Sequence, residues 1–265
     1  MSRNNILLLV SMVALSAIGL SCSMTGTPPE SWDLVWEDTF SGEGIPDPEK
    51  WVFAPRKSPD WAKYCTESEE TVAVSEGKLH LRGIKNSSAE DTAAYQTGCI
   101  STKEKFSFTY GKIEVRAKLS KGKGSWPAIW MMPARPTYGG WPQSGEIDIM
   151  EHLNLDQKVY QTVHSTYIDV QDNRENPPHH TTVPVQPDEF NTYGLEWYPD
   201  RLEFYVNGQK RLTYPRVEGG GHEQWPFDQP FYLILDQALG GSWVGEIDDR
   251  DLPVEMTVDR VRVYK

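Results

Sequence analysis

The stretch Lys112-Ile113-Glu114-Val115-Arg116-Ala117-Lys118-Leu119 alternates charged and apolar residues without a break. Successive side chains of an extended chain point to opposite faces, so Ile113, Val115, Ala117 and Leu119 share a buried face and the charges face water. Leu202-Glu203-Phe204-Tyr205-Val206 repeats the pattern. Turn chemistry brackets such runs: Glu76-Gly77 lies between Val72/Val74 and Leu79/Leu81, Pro199-Asp200 precedes Leu202, and Asn207-Gly208 follows Val206. Pairs of this kind join antiparallel hairpins. Further strands are expected at 34–40, 100–108, 126–133, 145–152, 159–167, 192–198, 231–237 and 254–264, with no helix-length apolar stripe between them. The reading is an all-β chain, an antiparallel sandwich of about a dozen strands.

No repeat or low-complexity linker divides residues 33–265, so one domain is expected in this chain of 265 residues. Acids outnumber lysine plus arginine by 38 to 26, a field that repels polyanions and argues against nucleic-acid binding. Aromatic residues reach 11%, with 10 tryptophans. Indoles beyond the needs of a core suit a ligand with flat apolar faces, such as a pyranose ring.

At the start, Arg3 precedes the apolar run Ile6–Leu20 and then Ser21-Cys22. The run is shorter than the roughly 20 residues of a bilayer-spanning helix, so residues 1–21 read as an export signal. Cys22 stands where bacterial lipoproteins carry their lipidated cysteine, which makes 22–32 a tether and places the protein at the periplasm or cell surface. The alternative is an ordinary cleaved signal and a secreted protein, because the leucine usual three residues before the cysteine is displaced to Leu20. Membrane association is expected only through that lipid. Cys65 and Cys99 remain as an even pair, and a disulfide and two separate thiols are both open at this level.

Three connections stand out: 134–144 with Tyr138-Gly139-Gly140-Trp141, 168–190 with Pro177-Pro178-His179-His180, and 215–229 with Gly219-Gly220-Gly221-His222 and Trp225. Loops of such length in a compact domain are usually functional or disordered. After the first comes Gly145-Glu146-Ile147-Asp148-Ile149-Met150-Glu151-His152. In a strand Glu146 and Asp148 share one face and repel each other, while Glu151, five positions from Glu146, points the wrong way. One extra residue at Ile149-Met150, a β-bulge, returns Glu151 to their face, and bulges are common beside active sites. Three aligned acids suit retaining glycoside hydrolysis, in which one carboxylate attacks and another carboxyl protonates the leaving oxygen. A solvated acidic face and a calcium or magnesium site are the competing readings. No HExxH, GxSxG, P-loop or GxGxxG motif is present.

With this strand the sequence resembles the laminarinase-like branch of glycoside hydrolase family 16. The likeness runs from Leu34-Val35-Trp36-Glu37-Asp38-Thr39-Phe40 through Tyr110-Gly111-Lys112-Ile113-Glu114-Val115-Arg116-Ala117 and Gly124-Ser125-Trp126-Pro127-Ala128-Ile129-Trp130-Met131 to the carboxylate strand. It continues in Thr162-Val163-His164, Tyr193-Gly194-Leu195-Glu196-Trp197, Gly240-Gly241-Ser242-Trp243 and Val258-Asp259-Arg260-Val261-Arg262-Val263-Tyr264. The resemblance implies a β-jelly-roll of two curved antiparallel sheets with a cleft on the concave face. It implies Glu146 as nucleophile, Asp148 as assisting acid and Glu151 as acid/base. Trp126, Trp130 and Trp243 match cleft aromatics and His164 a cleft histidine; loop residue Trp141 joins them as a candidate substrate contact.

By the same resemblance no cofactor serves catalysis, and a structural calcium is expected away from the cleft on Asp259 and the backbone carbonyls of Glu37 and Gly77. The apolar phase of the last strand, Val254, Met256, Val258 and then Val261, Val263, independently predicts a bulge near Asp259. The implied activity is an endo-β-glycosidase cutting internal linkages of a polysaccharide, first β-1,3- or mixed-linkage glucan and second a galactose-containing glycan. A lectin-like protein without turnover is the rival from another class. Two departures bear on the substrate: Ser58-Pro59-Asp60-Trp61-Ala62-Lys63-Tyr64-Cys65 replaces an asparagine-rich stretch, and Gly-Ser-Trp-Val stands for Gly-Asn-Trp-Pro. The net charge of −12 disfavours highly sulfated glycans unless Arg56, Lys57 or Arg135 builds a local anion site.

Overall fold

Alternating runs become strands wherever turn residues release them. The computed structural model describes residues 31–265, so the expected signal at 1–21, Cys22 and most of the tether lie outside the described residues. In chain order the strands are β1 (Leu34–Asp38), β2 (Val52–Phe53), β3 (Val72–Ser75), β4 (Lys78–Lys85), β5 (Tyr95–Thr97), β6 (Cys99–Ser101), β7 (Gly111–Leu119) and β8 (Ser125–Pro133). They continue as β9 (Glu146–Glu151), β10 (Lys158–His164), β11 (His180–Pro184), β12 (Asn191–Tyr198), β13 (Arg201–Val206), β14 (Gln209–Pro215), β15 (Phe231–Leu239) and β16 (Val254–Tyr264).

Two antiparallel sheets form a β jelly roll. One runs β14-β13-β12-β7-β16-β4-β3, with β1 also on β16 and β5 on β4; the other runs β11-β10-β9-β8-β15-β6-β2. The inner face of β7 is Ile113, Val115, Ala117 and Leu119, all at most 1% exposed, and β9 meets it from the opposite sheet with Ile147, Ile149 and Met150. Each valine, leucine, isoleucine or methionine among these contributes about 1.5–3 kcal/mol when fully removed from water. Of the three predicted turns, Pro199-Asp200 joins β12 to β13 with negative φ, while the other two take positive φ at both central residues, Glu76 and Gly77, and Asn207 and Gly208. That geometry matches the strand twist and is why a glycine follows in each case. In β16 the pairing with β7 passes from Val258↔Ala117 to Arg260↔Arg116, which leaves Asp259 as the expected bulge.

Several expectations are corrected. The strand read at 100–108 stops at Ser101, because the Thr102 hydroxyl accepts the Leu233 N–H and donates to the Phe106 carbonyl, turning the chain. The strand read to 167 ends at His164, where α1 (Thr166–Asp169) begins. The 168–190 connection is not all loop, since β11 pairs with β10 along Lys158↔Pro184 to Thr162↔His180. In 215–229, which contains α2 (Gly221–Gln224), Trp225 and Phe227 are fully buried and belong to the core. Cys65 and Cys99 form a disulfide, tying the segment that follows the short 3-10 turn Asp60–Ala62 to β6, the neighbour of edge strand β2 in the second sheet.

Candidate active site

On β9 the register across β8 runs Met131↔Ile147, Trp130↔Asp148, then Ile129↔Met150 and Ala128↔Glu151. Ile149 is the extra residue. On the other side β10 places His164 opposite Glu146, Thr162 opposite Asp148 and Tyr160 opposite Glu151. The bulge lets Ile149 and Met150 both enter the core, while Glu146, Asp148 and Glu151 line up on the outer face of the sheet. The predicted alignment of the acids is thus present.

Electrostatics divides the three acids. Burial, and then the neighbouring charge of Asp148, push Glu146 up to about 8, with His164 opposing. Burial and Asp148 also hold Glu151 well above the usual carboxylate range, opposed by the Trp126 indole, whose Nε1 donates to Glu151 Oε1 at 3.0 Å. His164 has its Nε2 3.3 Å from Asp148 Oδ2 and its Nδ1 3.1 Å from Asp169 Oδ1. Burial disfavours its charge, but the two carboxylates outweigh it and raise the imidazole to about 11. Glu146, Asp148 and His164 can bring one donor atom each within 4.8 Å of one another. A metal would need an unprotonated imidazole nitrogen, and both nitrogens here face carboxylates as donors. The arrangement therefore holds protons on Glu146 and Glu151 beside a fixed positive charge.

Aromatic residues wall this row. Trp243 packs edge-on against Trp126 and Tyr160 at the Glu151 end, and Trp141, 57% exposed, lies 5.8 Å from the His164 ring at the Glu146 end. Trp130 is different: it is 6% exposed, carries the edge of Trp61 at 4.9 Å, and donates its indole N–H to Asp236 Oδ1 at 2.7 Å. It is the floor of the cleft rather than a free-standing platform. Asp236 is itself buried, its Oδ2 has no partner, and burial raises it to about 8, so it sits there as a neutral acid. Asp169, Asp236 and Trp61 were not singled out by the sequence. Only the strand parity Tyr232, Ile234, Asp236 hinted at the second, by placing an acid on the face opposite Leu233 and Leu235.

Away from the cleft, Glu37, Gly77 and Asp259 lie along β16: Glu37 pairs with Arg262, Asp259 is the bulge, and Gly77 precedes Leu79, the partner of Val258, by two residues. Asp259 Oδ2 pairs with Arg116, its Oδ1 is buried without a partner, and the Glu37 carbonyl accepts from Lys50 Nζ at 2.8 Å. The orphan oxygen suits a cation, and Lys50 occupies the carbonyl that such a cation would share.

A jelly roll whose outer sheet face carries three aligned carboxyls between indoles is the framework of a sugar-cleaving enzyme. The chain belongs to Glycosyl hydrolases family 16, which matches residues 60–260. It is 45% identical over 235 residues to a keratan-sulfate endo-1,4-beta-galactosidase of Sphingobacterium multivorum, covering 88% of this chain and 55% of that protein. The chain therefore spans about half the length of that relative. It is 36% identical over 273 residues to a beta-glucanase of Rhodothermus marinus, covering 95% of this chain and 93% of the other. The solved laminarinase of Rhodothermus marinus has a TM-score of 0.79 at 33% identity over 89% of this chain and 98% of its own.

Proposed function

We propose that the protein is a retaining endo-β-glycosidase that hydrolyses internal β-linkages of a polysaccharide. The observation that carries this reading is the bulge at Ile149, which brings Glu151 onto the face of Glu146 and Asp148. In this scheme Glu146 attacks the anomeric carbon while Glu151 protonates the departing oxygen. Water then resolves the glycosyl-enzyme with Glu151 as base. Asp148 and the charged His164 set the proton inventory of the pair, since a carboxylate between two others cannot share their charge freely. The scheme requires no cofactor. A protein that merely binds glycans has no use for three repelling acids on one strand, which argues against the lectin-like rival.

β-1,3- or mixed-linkage glucan is the first substrate reading, supported by the likeness to a beta-glucanase and a laminarinase. A galactose-containing glycan is the second, favoured by the higher identity to an endo-1,4-beta-galactosidase. Profiling the products of the purified protein on a panel of β-glucans and β-galactans tests both. Short oligosaccharides of retained configuration are expected, and no release from any β-glycan overturns the proposal. Export and a lipid anchor at Cys22 complete the reading, resting on Arg3 and the apolar run Ile6–Leu20; Cys22→Ser is expected to release the protein from membranes with its specific activity intact. A calcium ion at Asp259, with the Glu37 and Gly77 carbonyls, is proposed as a structural support outside the cleft.

A further inference from the structure

The row of residues that crosses the outer sheet at Glu146 continues beyond the acids. Met131 pairs with Ile147 and Leu233, and Tyr232 pairs with Met132, so Tyr232 lies two strands from β9 on the same line. The next strand is β6, with Ser101 opposite Ile234. At about 4.8 Å per strand, Tyr232 lies roughly 10 Å and Ser101 roughly 14 Å from the carboxylate strand, within reach of a short oligosaccharide bound across the sheet.

Two adjoining cavities open there, of about 250 and 280 Å³, and both are lined by Tyr232, Lys103 and Glu104. Lys57 and Trp61 complete the first, and Lys105 and Arg135 the second. Trp61 is also the ring that packs on Trp130, so the cavities are continuous with the floor of the cleft. Four cationic side chains therefore meet one acid at this end of a protein whose net charge is −12. Among the described residues none of the four cations forms an ion pair, whereas neighbouring Arg56 is held by Asp91 through two hydrogen bonds, at 2.8 and 2.6 Å. A concentration of unpaired cations against the overall charge is an electrostatic feature that binding explains and folding does not.

We infer that the Tyr232 end of the cleft is an anion subsite, in which Lys57, Lys103, Lys105 and Arg135 receive an acidic substituent on the glycan while Tyr232 and Trp61 hold its sugar. This rests on the endo-glycosidase reading and narrows its substrate class to β-glycans bearing a sulfate ester or a carboxylate some units from the cleaved bond. The negative field over the rest of the molecule then excludes polyanions of uniform charge, and the local cations admit a glycan acidic at the right place. Charge-assisted contacts to a sulfate or carboxylate are stronger than neutral ones, and partly exposed ones weaken with salt.

The test uses three matched β-galactose-containing oligosaccharides: neutral, 6-O-sulfated, and ending in a sialic acid carboxylate. Their kcat/KM with the full protein, and their Kd with Glu146→Gln, are compared with those of Lys103→Ala/Arg135→Ala and of Glu104→Gln in the same two backgrounds. The expected result is a preference of about tenfold or more for one anionic form over the neutral one, diminished at high salt. That ratio should fall toward one in the double alanine variant and rise in Glu104→Gln, and the preferred anion identifies the substituent. Cleavage of neutral and anionic forms at equal efficiency, or a preference unchanged by either variant, overturns the subsite and leaves the glycosidase reading standing. Absence of cleavage with a retained binding preference for the anionic form overturns the glycosidase reading alone. Absence of both overturns the two together.

Discussion

His164 Nε2 stands 3.3 Å from Asp148 Oδ2 while its Nδ1 is held by Asp169, the last residue of α1. The imidazole is thereby a fixed cation at the Glu146 end of the acid row, with a pKa raised to about 11. Its contribution to folding is complete below the ordinary histidine value of about 6.5 and is lost as pH climbs toward 11. Because its charge lowers Glu146, His164→Gln should raise the Glu146 pKa further. The acidic limb of the kcat/KM profile then moves to higher pH, with about a tenfold or greater loss at neutral pH. An unmoved limb would remove His164 from the proton arrangement.

Roles within the pair separate by rescue. Glu151→Ala should retain turnover of an aryl glycoside, whose leaving group departs without protonation, and azide should accelerate it to a β-glycosyl azide. Glu146→Gln should bind oligosaccharide and lose several orders of magnitude in rate. An α-glycosyl azide from Glu151→Ala would exchange the two assignments.

The acids cost stability. Glu146 prefers its proton in the folded protein, so the cost is absent below the unfolded pKa of about 4.5 and grows until pH passes about 8. Glu146→Gln should therefore melt higher than the parent at pH 8, by on the order of 5 °C, and at the same temperature at pH 4. Calorimetry at the two pH values distinguishes this from a change in packing, which would shift both.

Reduction of the Cys65–Cys99 disulfide should act on stability and on binding together. The bridge spans a sequence separation of 34, and a closed loop of this size stabilises by about 3–4 kcal/mol. The same loop carries Trp61 over Trp130 and Asp60, whose Oδ2 accepts from the Ser242 N–H at 2.7 Å. Cys65→Ser/Cys99→Ser is expected to lower Tm by several degrees and weaken oligosaccharide binding to Glu146→Gln. Unchanged affinity would mean that the 58–65 segment does not shape the cleft.

Chelation should lower Tm and leave low-temperature activity intact, because a ligand bound only by the folded state stabilises it by mass action. Asp259→Ala should abolish that response, and a variant as calcium-responsive as the parent would place the ion elsewhere. Lys50→Met, which frees the Glu37 carbonyl, should strengthen the calcium effect.

Much of this architecture was legible because its signals are local. Alternation in 112–119, paired turn residues at Glu76-Gly77 and Asn207-Gly208, and the phase break at Asp259 each depend on neighbours in sequence. The active strand was legible for the same reason, since three acids at uneven spacing need a bulge to act together. What escaped depends on contacts distant in sequence. Asp236 meets Trp130 across 106 residues, and the cations around Tyr232 come from three separate connections. Trp225 was read on a loop and is core because Phe227 and Tyr214 close around it.

The extra residue at Ile149 also sets a frame shift within the active strand: before it even-numbered positions look into the cleft, after it odd-numbered ones do. A one-residue deletion ordinarily turns the rest of a strand inside out. Here removal of Ile149 would restore strict alternation and keep all three acids on the same side, and because Asp148 and Glu151 already stand two register steps apart on both β8 and β10, their spacing would hold. What the extra residue changes is the buried side, where Ile149 and Met150 stand in the core in place of one residue, so the strand can vary its packing by length while the order of its acids holds.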